Sequence, residues 1–353
     1  MNKTDVAKLL HYHAEKYPLM QPIDAIKLLY QSEFGCGHFV EAGKAYERLK
    51  NEYATAISLK KGETFVDIGE GRSRLMLSSD LLCEDDIPLV SSLFAASAAE
   101  DLGLEGSSEG MKDKLAEFLR EAENGVFPSF NGEDAEKCFR EYLELGMPAV
   151  SHSEIYRKAY APAYRVMSRT ATRVFYVALT VSRMLKKSEN ILLAIDGRAC
   201  SGKSTAADFL YGVFDCNIIH ADDFFLPFER KTPERLSSPG GNIDYERLSE
   251  VLEKAGKEDF SYRPFECSKN ALGDEKCFIH KPLTIVEGSY SMHPALIENY
   301  SFCVFSDISE KEQLQRLKLR SPNLVERFVN EWIPMEEAYA NAFSIREKAD
   351  III

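Results

Sequence analysis

The sequence predicts a mainly α-helical N-terminal domain over 1–187. It is followed over 188–353 by an α/β domain, a parallel five-stranded sheet flanked by helices. Three observations carry this. The first half is a succession of apolar patterns with helical period. From Ile191 onward, short apolar runs alternate with helical patterns, as in a parallel sheet. The first of those runs, Ile191-Leu192-Leu193-Ala194-Ile195, leads into Gly197-Arg198-Ala199-Cys200-Ser201-Gly202-Lys203-Ser204-Thr205 and then a helical pattern.

That nine-residue stretch is a GxxxxGK[ST] phosphate loop in its expected place between strand and helix. Gly197 and Gly202 let backbone N–H groups turn onto a polyphosphate with no Cβ in the way, and the helix N-terminus adds its positive dipole end. Lys203 can reach the β- and γ-phosphates, and the Ser204 hydroxyl can bind Mg²⁺. Residues 197–205 are therefore the expected ATP site, with Mg²⁺ as its companion. The alternative is an ordinary glycine turn.

Composition bounds the rest. The 353 residues are 45% hydrophobic, enough for real cores, and carry a net charge of -13. Such a balance argues against a nucleic-acid partner or an anionic membrane. The eight cysteines, at 36, 83, 138, 200, 216, 267, 277 and 303, form no CxxC pair, so no zinc ribbon or thioredoxin site is signalled. A reducing, cytoplasmic setting is expected. Residues 1–18 are too polar for a signal peptide, and no apolar run approaches a membrane span.

In chain order, helices are expected over 5–17, from Pro22 through Tyr30, 42–56, 87–102, 111–123 and 133–145. A short hairpin of 65–68 with 74–77 turns around Gly69-Glu70-Gly71. A long helical stretch is expected from Ser153 to about Lys187, kinked or interrupted at Pro162. It would place Tyr156, Tyr160 and Tyr164 at i, i+4 spacing, with Arg157 and Arg165 on a common side. Two readings stand: a helix packing its tyrosines on the domain, or a ligand site shared with the glycine-punctuated loop from Glu33 through Cys36 and Gly37 to His38. Lys186 to Asn190 is a polar break, the expected domain boundary. Strands are expected at 191–195, 216–220, 283–286, 302–305 and 349–353, their carboxyl ends forming the edge where ligands bind.

Two carboxylate sites lie at that edge. The second strand runs into Asp222-Asp223, where a carboxylate can take the proton of an attacking hydroxyl, hold Mg²⁺, or both. Either aspartate could be the base. The third strand ends in Glu287, placed for metal or water positioning.

Residues 191–353 resemble the uridine kinase and phosphoribulokinase group of P-loop kinases, most closely its uridine kinase-like branch. The resemblance rests on GRACSGKST, HADDFFLP at 220–227, SPGGNIDYERL at 238–248, YRPFEC at 262–267, TIVEGSY at 284–290 and the arginines of QLQRLKLRS. It implies Asp222 as catalytic base, with Asp223 as second choice, and Phe225 and Tyr262 lining the substrate pocket. It implies Asp244 as the carboxylate holding substrate hydroxyls, and Arg316 and Arg320 as lid arginines over the transferring phosphoryl group. Ser204, Asp222 and Glu287 would hold the metal. The family's base-reading histidine has no match, Cys267 lying about where it would be. Arg263 beside Tyr262 could favour an anionic substrate, and the lid at 321–326 is short. The first half resembles a bacterial domain found beside kinases through its YQSEFG-GH and SHSE-YR--Y-PAYR stretches, with no activity attached.

The expected function is ATP-dependent transfer of the γ-phosphoryl group to a hydroxyl of a small metabolite, a nucleoside first and a sugar or sugar phosphate second. Two other readings are an ATP-dependent switch and a bifunctional protein whose N-terminal domain acts through Glu33, His38, His152 and Arg157. A homo-oligomer is left open.

Overall fold

The computed structural model describes residues 5–35, 42–57, 62–103, 106–188 and 190–353. Two compact units divide after Arg173. The division falls inside a helix whose C-terminal end adjoins the expected boundary at 187.

In the first unit, helices α1 (Val6–Lys16), α2 (Pro22–Phe34) and α3 (Ala42–Ala56) precede a hairpin of β1 (Phe65–Gly69) and β2 (Arg72–Met76). Helices α4 (Ile87–Gly103), α5 (Ser108–Glu123), α6 (Gly132–Glu144) and α7 (Glu154–Tyr160) follow, then β3 (Tyr164–Met167) and α8 (Arg169–Leu185). Local signals account for the boundaries. Asp5 caps α1 through the Lys8 N–H, Pro22 opens α2, and Asn131 and Asp134 form a capping box on α6. The core is the inward face of these helices, with Leu10, Ile26, Leu29, Phe118 and Tyr156 buried together.

One expectation is corrected. The stretch after Ser153 is not one long helix. Ala161 adopts a left-handed conformation at φ +41° and closes α7. Pro162 follows, and residues 164–167 pair antiparallel with β2, Leu75 opposite Arg165, to make the sheet order β1-β2-β3. Tyr164 and Arg165 therefore lie on a strand and share no helix face with Tyr156, Tyr160 or Arg157.

This break carries a buried polar chain. Asp24, fully buried on α2, accepts from the Ser153 hydroxyl at 2.7 Å, the Ser153 N–H at 3.0 Å and His152 Nδ1 at 2.8 Å. His152 Nε2 meets the Tyr164 hydroxyl at 2.7 Å, the Gln31 amide nitrogen donates to that hydroxyl at 3.3 Å, and the Gln31 amide oxygen accepts from Arg74 at 2.8 and 3.0 Å. The pattern sets the protons: Nδ1–H donates to Asp24, and Nε2 accepts from Tyr164. Glu33 sits elsewhere, on Lys114 at 3.0 Å and the Ser107 N–H at 2.9 Å. Arg157 is exposed. Cys36, Gly37 and His38 lie outside the described residues, so the proposed partnership of that loop with His152 is not drawn.

The second unit opens with β4 (Ile191–Gly197), α9 (Lys203–Val213) and β5 (Cys216–His220). A lobe of α10 (Pro233–Ser237), α11 (Tyr245–Ala255), β6 (Phe260–Tyr262), β7 (Phe265–Glu266), β8 (Ala271–Leu272) and β9 (Lys276–Phe278) follows, then β10 (Leu283–Glu287) and β11 (Phe302–Ser306). The chain continues through α12 (Glu310–Arg320), α13 (Val325–Arg327), a π-helical turn over Phe328–Trp332, α14 (Ile333–Phe343), α15 (Ile345–Lys348) and β12 (Ile351–Ile352). The large sheet has the order β12-β11-β4-β10-β5, all parallel. Every residue of β4 is buried, which is why it reads as a continuous apolar run. The chain leaves β4 for β5 on one side and later crosses to β11 on the other. The carboxyl end of β4 is thus the switch point where an open α/β sheet binds ligands. No helix among the described residues is long and apolar enough to cross a membrane.

Burial holds two histidines of the first unit neutral. His152 is pushed down to about 4 by desolvation, against the pull of Asp24, and His13 to about 3 by desolvation and then Arg74. Unfolded, both titrate near 6.5. Each depressed value stabilises the fold fully above pH 6.5, and that contribution is lost as pH falls toward the folded value, about 2 kcal/mol for each by pH 5. Denaturant titrations between pH 8 and 5 should show the loss, and it should shrink in His152→Gln.

Candidate active site

Parallel register brings the polar residues to one level. Glu287, the last residue of β10, stands opposite both Ile195 of β4 and His220 of β5. Glu287 Oε2 accepts from the Ser204 hydroxyl at 2.9 Å, and Oε1 lies 2.7 Å from His220 Nδ1. The hydrogen bond from Glu287 raises His220 above its ordinary range. The expected metal-side pair, Ser204 and Glu287, is thus in direct contact.

The loop itself is shaped by backbone crowding. Gly197 has φ +140°, and a Cβ there would come 2.1 Å from the Ser306 carbonyl oxygen of β11. Gly202 has φ +98° at the start of α9, and Cys200 takes φ +59° between them. The loop carbonyls are held from one side by α12: Gln313 donates to Ala199 O at 3.0 Å, and Arg316 to Cys200 O at 3.2 Å and Ser201 O at 3.4 Å. Lys203 Nζ lies within the loop, 2.8 Å from Gly197 O and 3.0 Å from Arg198 O, and donates to Ser289 Oγ at 3.3 Å. Arg198 reaches Glu337 at 2.8 Å and the Ile308 carbonyl at 3.0 Å.

The paired aspartates have different surroundings. Asp223 accepts from the Tyr262 hydroxyl and from Lys276 Nζ, each at 2.8 Å. The Asp222 carboxylate makes no hydrogen bond or ion pair with the described residues and reaches solvent. The protein packed around it raises its pKa, Lys203 pulls it down, Glu287 pushes it up, and His220 and Arg320 lower it. Arg320 is exposed on α12. Arg316 is turned onto the loop carbonyls and Glu312.

The lobe residues have structural roles that the sequence did not reveal. Asp244 is buried, caps α11 through the Arg247 N–H, and pairs with Arg230. Tyr262 is buried against Phe224 and Phe278. Phe225 bridges Ile243 and is half-buried. Arg263 donates to the carbonyls of Gly273 at 2.7 Å and Leu272 at 3.3 Å, which directs its guanidinium into the β7–β8 hairpin.

Four residues were not singled out from the sequence. Asp196 and Ser289 had a signal, standing one residue before Gly197 and two after Glu287. Gln313 and Glu336 had none, because contacts across more than 100 residues leave no local pattern. Glu336, on α14, accepts the Ala199 N–H at 2.9 Å and the Ser289 hydroxyl at 2.8 Å. Burial raises its pKa, with Lys203 opposing.

The donor set fits a phosphate-bound Mg²⁺, which takes one or two carboxylates and leaves its other positions to water and phosphate. Ser204, Glu287 and Asp222 are the oxygen donors at this edge. Among the described residues no cluster of three or more His, Cys, Asp and Glu could hold a metal by itself.

The five-stranded parallel sheet with its phosphate loop after the central strand is the P-loop kinase fold. No family model and no curated protein matches the chain. Among solved structures, the chain is similar to a protein described provisionally as a uridine kinase from Bacillus stearothermophilus, at 16% identity and TM-score 0.42, over 52% of this chain and 97% of that one. It is similar to a protein described provisionally as a fructose transport system kinase from Silicibacter sp. TM1040, at 20% identity and TM-score 0.34, over 46% and 89%. It is also similar to TT1252 from Thermus thermophilus, at 16% identity and TM-score 0.26, over 46% and 87%. At these scores the likenesses carry no argument. The fold is read from the strand order and the loop.

Two glycines should respond oppositely to alanine. Gly197→Ala combines a strained φ with a backbone clash and should cost at least about 2 kcal/mol in urea unfolding and abolish nucleotide binding. Gly212→Ala, in α9 with nothing within 4 Å of its Cβ, should stabilise by about 0.5 kcal/mol.

Proposed function

We propose that the second unit is a kinase that transfers the γ-phosphoryl group of ATP to a hydroxyl of a small metabolite, with nucleosides as the first acceptor class. The observation that carries this reading is the contrast between the two aspartates. Asp223 is neutralised by Lys276 and hydrogen-bonded by Tyr262, which makes it a poor proton acceptor. Asp222 is uncommitted, solvent-accessible, and within electrostatic reach of Lys203 and Arg320. A carboxylate with a raised pKa at the reacting end of a phosphate loop suits a general base.

In this reading the Asp222 carboxylate takes the proton as the acceptor oxygen forms its bond to phosphorus and the bond to the leaving ADP oxygen breaks. Loop N–H groups and Lys203 stabilise the charge on the phosphates. Ser204 and Glu287, with Asp222, would hold Mg²⁺, which would bridge and neutralise phosphoryl oxygens. Arg316 acts from behind, holding the loop carbonyls so that the amides face inward. Arg320, exposed and near Asp222, is the arginine placed to reach the transferring group. Asp244 would take an acceptor diol by exchanging its contact with Arg230. Because Arg263 is turned into its hairpin, an anionic sugar is the weaker acceptor class.

A transfer screen with [γ-³²P]ATP over nucleosides, sugars and sugar phosphates tests this. Labelled product is expected with wild type. Asp222→Asn should lower kcat at least about 100-fold, the range of general-base removal. Asp223→Asn should act mainly on KM, and Lys203→Ala should abolish transfer. Hydrolysis of ATP without any labelled acceptor would instead support a switch.

A further inference from the structure

Glu336 stands where a nucleotide phosphate also needs a donor. Its Oε2 accepts the Ala199 N–H of the loop, and its Oε1 accepts the Ser289 hydroxyl. Ser289 Oγ in turn accepts from Lys203 Nζ. In a loop of this pattern the lysine serves the β- and γ-phosphates. The Glu336 carboxylate is therefore at the terminal-phosphate end of the site. The helix that carries it is anchored. Tyr339, three residues on, is buried and donates to Asp196 at 2.8 Å, and Glu337 pairs with Arg198. Exchange at Ala199 is thus a rotation of the Glu336 side chain, and a small recess lined by Arg198, Phe305 and Ala340 lies beside it.

A single N–H cannot donate fully to a carboxylate and to a phosphoryl oxygen, and two anions that close repel. We propose that Glu336 is a specificity-determining residue of the nucleotide site: a phosphate mimic that competes for the Ala199 amide and penalises a triphosphate more than a diphosphate. The proposal rests on the nucleotide-binding reading above. A terminal phosphoryl group must displace Glu336, whereas a diphosphate held deeper in the loop leaves it in place. The raised pKa of Glu336 agrees with a carboxylate crowded into this position.

The test is calorimetric titration of the full chain, wild type, Glu336→Gln and Glu336→Ala, with MgATP and with MgADP. Both variants should bind MgATP about tenfold more tightly, the fold-change of one charge-assisted hydrogen bond. MgADP should move less than about threefold. Weaker or unchanged MgATP binding, or equal tightening for both nucleotides, overturns the proposal while leaving the kinase reading intact. A wild-type chain that binds neither nucleotide overturns both. Glu336→Gln keeps the shape of the side chain and an acceptor for Ala199, so it decides the matter if Glu336→Ala does not fold.

Discussion

The buried carboxylate of Asp196 is the constraint on which the candidate site depends. It sits at the end of β4 and accepts from Gly197 N at 2.7 Å, Met292 N at 2.9 Å, Tyr290 N at 3.2 Å and the Tyr339 hydroxyl at 2.8 Å. A charge removed from water must be paired or fully hydrogen-bonded, and here four donors from three chain segments supply that. Burial still raises its pKa, opposed by those donors. One group thereby fixes where the phosphate loop begins, where the chain runs after β10, and how α14 lies across both. Ser289 and Glu336 reach the loop because Asp196 has placed the segments that carry them.

Around that anchor the loop has two faces with different partners. Gln313 and Arg316 take carbonyls on the side of α12, while on the other side Glu336 takes an amide. Tight packing of Gly197 on β11 leaves no room for a side chain. The same economy of environment separates like residues. Asp222 and Asp223 are neighbours in sequence, yet Lys276 and Tyr262 neutralise one and leave the other available. Pairs of carboxylates with divergent surroundings are how one site obtains different roles from one residue type.

The first unit solves a related problem without an evident site. Asp24 and Arg74 are both buried and are joined through His152, Tyr164 and Gln31, neutral groups that satisfy each end. Arg74 also lies over the Tyr164 ring at 4.6 Å. The motif residues of that half, Gln31, His152, Ser153 and Tyr164, belong to this chain of hydrogen bonds. It joins α2, β2, β3 and the start of α7. Partial satisfaction would be costly in a low-dielectric interior, and the network is specific for that reason.

Much of this was legible in the residues alone, where the physics is local. Helical period, caps and proline breaks marked α1 to α6, and five apolar runs marked the five parallel strands, because a strand buried on both faces must be apolar throughout. The loop 197–205 was legible because phosphate binding requires glycines and a lysine at a set spacing. What failed was the stretch after Ser153: its helical period continued through Tyr164, but the left-handed Ala161 and pairing with β2 made a strand of it. Only tertiary structure could separate Asp222 from Asp223, turn Arg263 into its own hairpin, commit Asp244 to a helix cap, and bring Glu336 to the loop across 137 residues. The sequence by itself determined which chemistry the chain can hold. The fold decided which of several equivalent side chains remain free to perform it, because freedom depends on partners that sequence distance does not record.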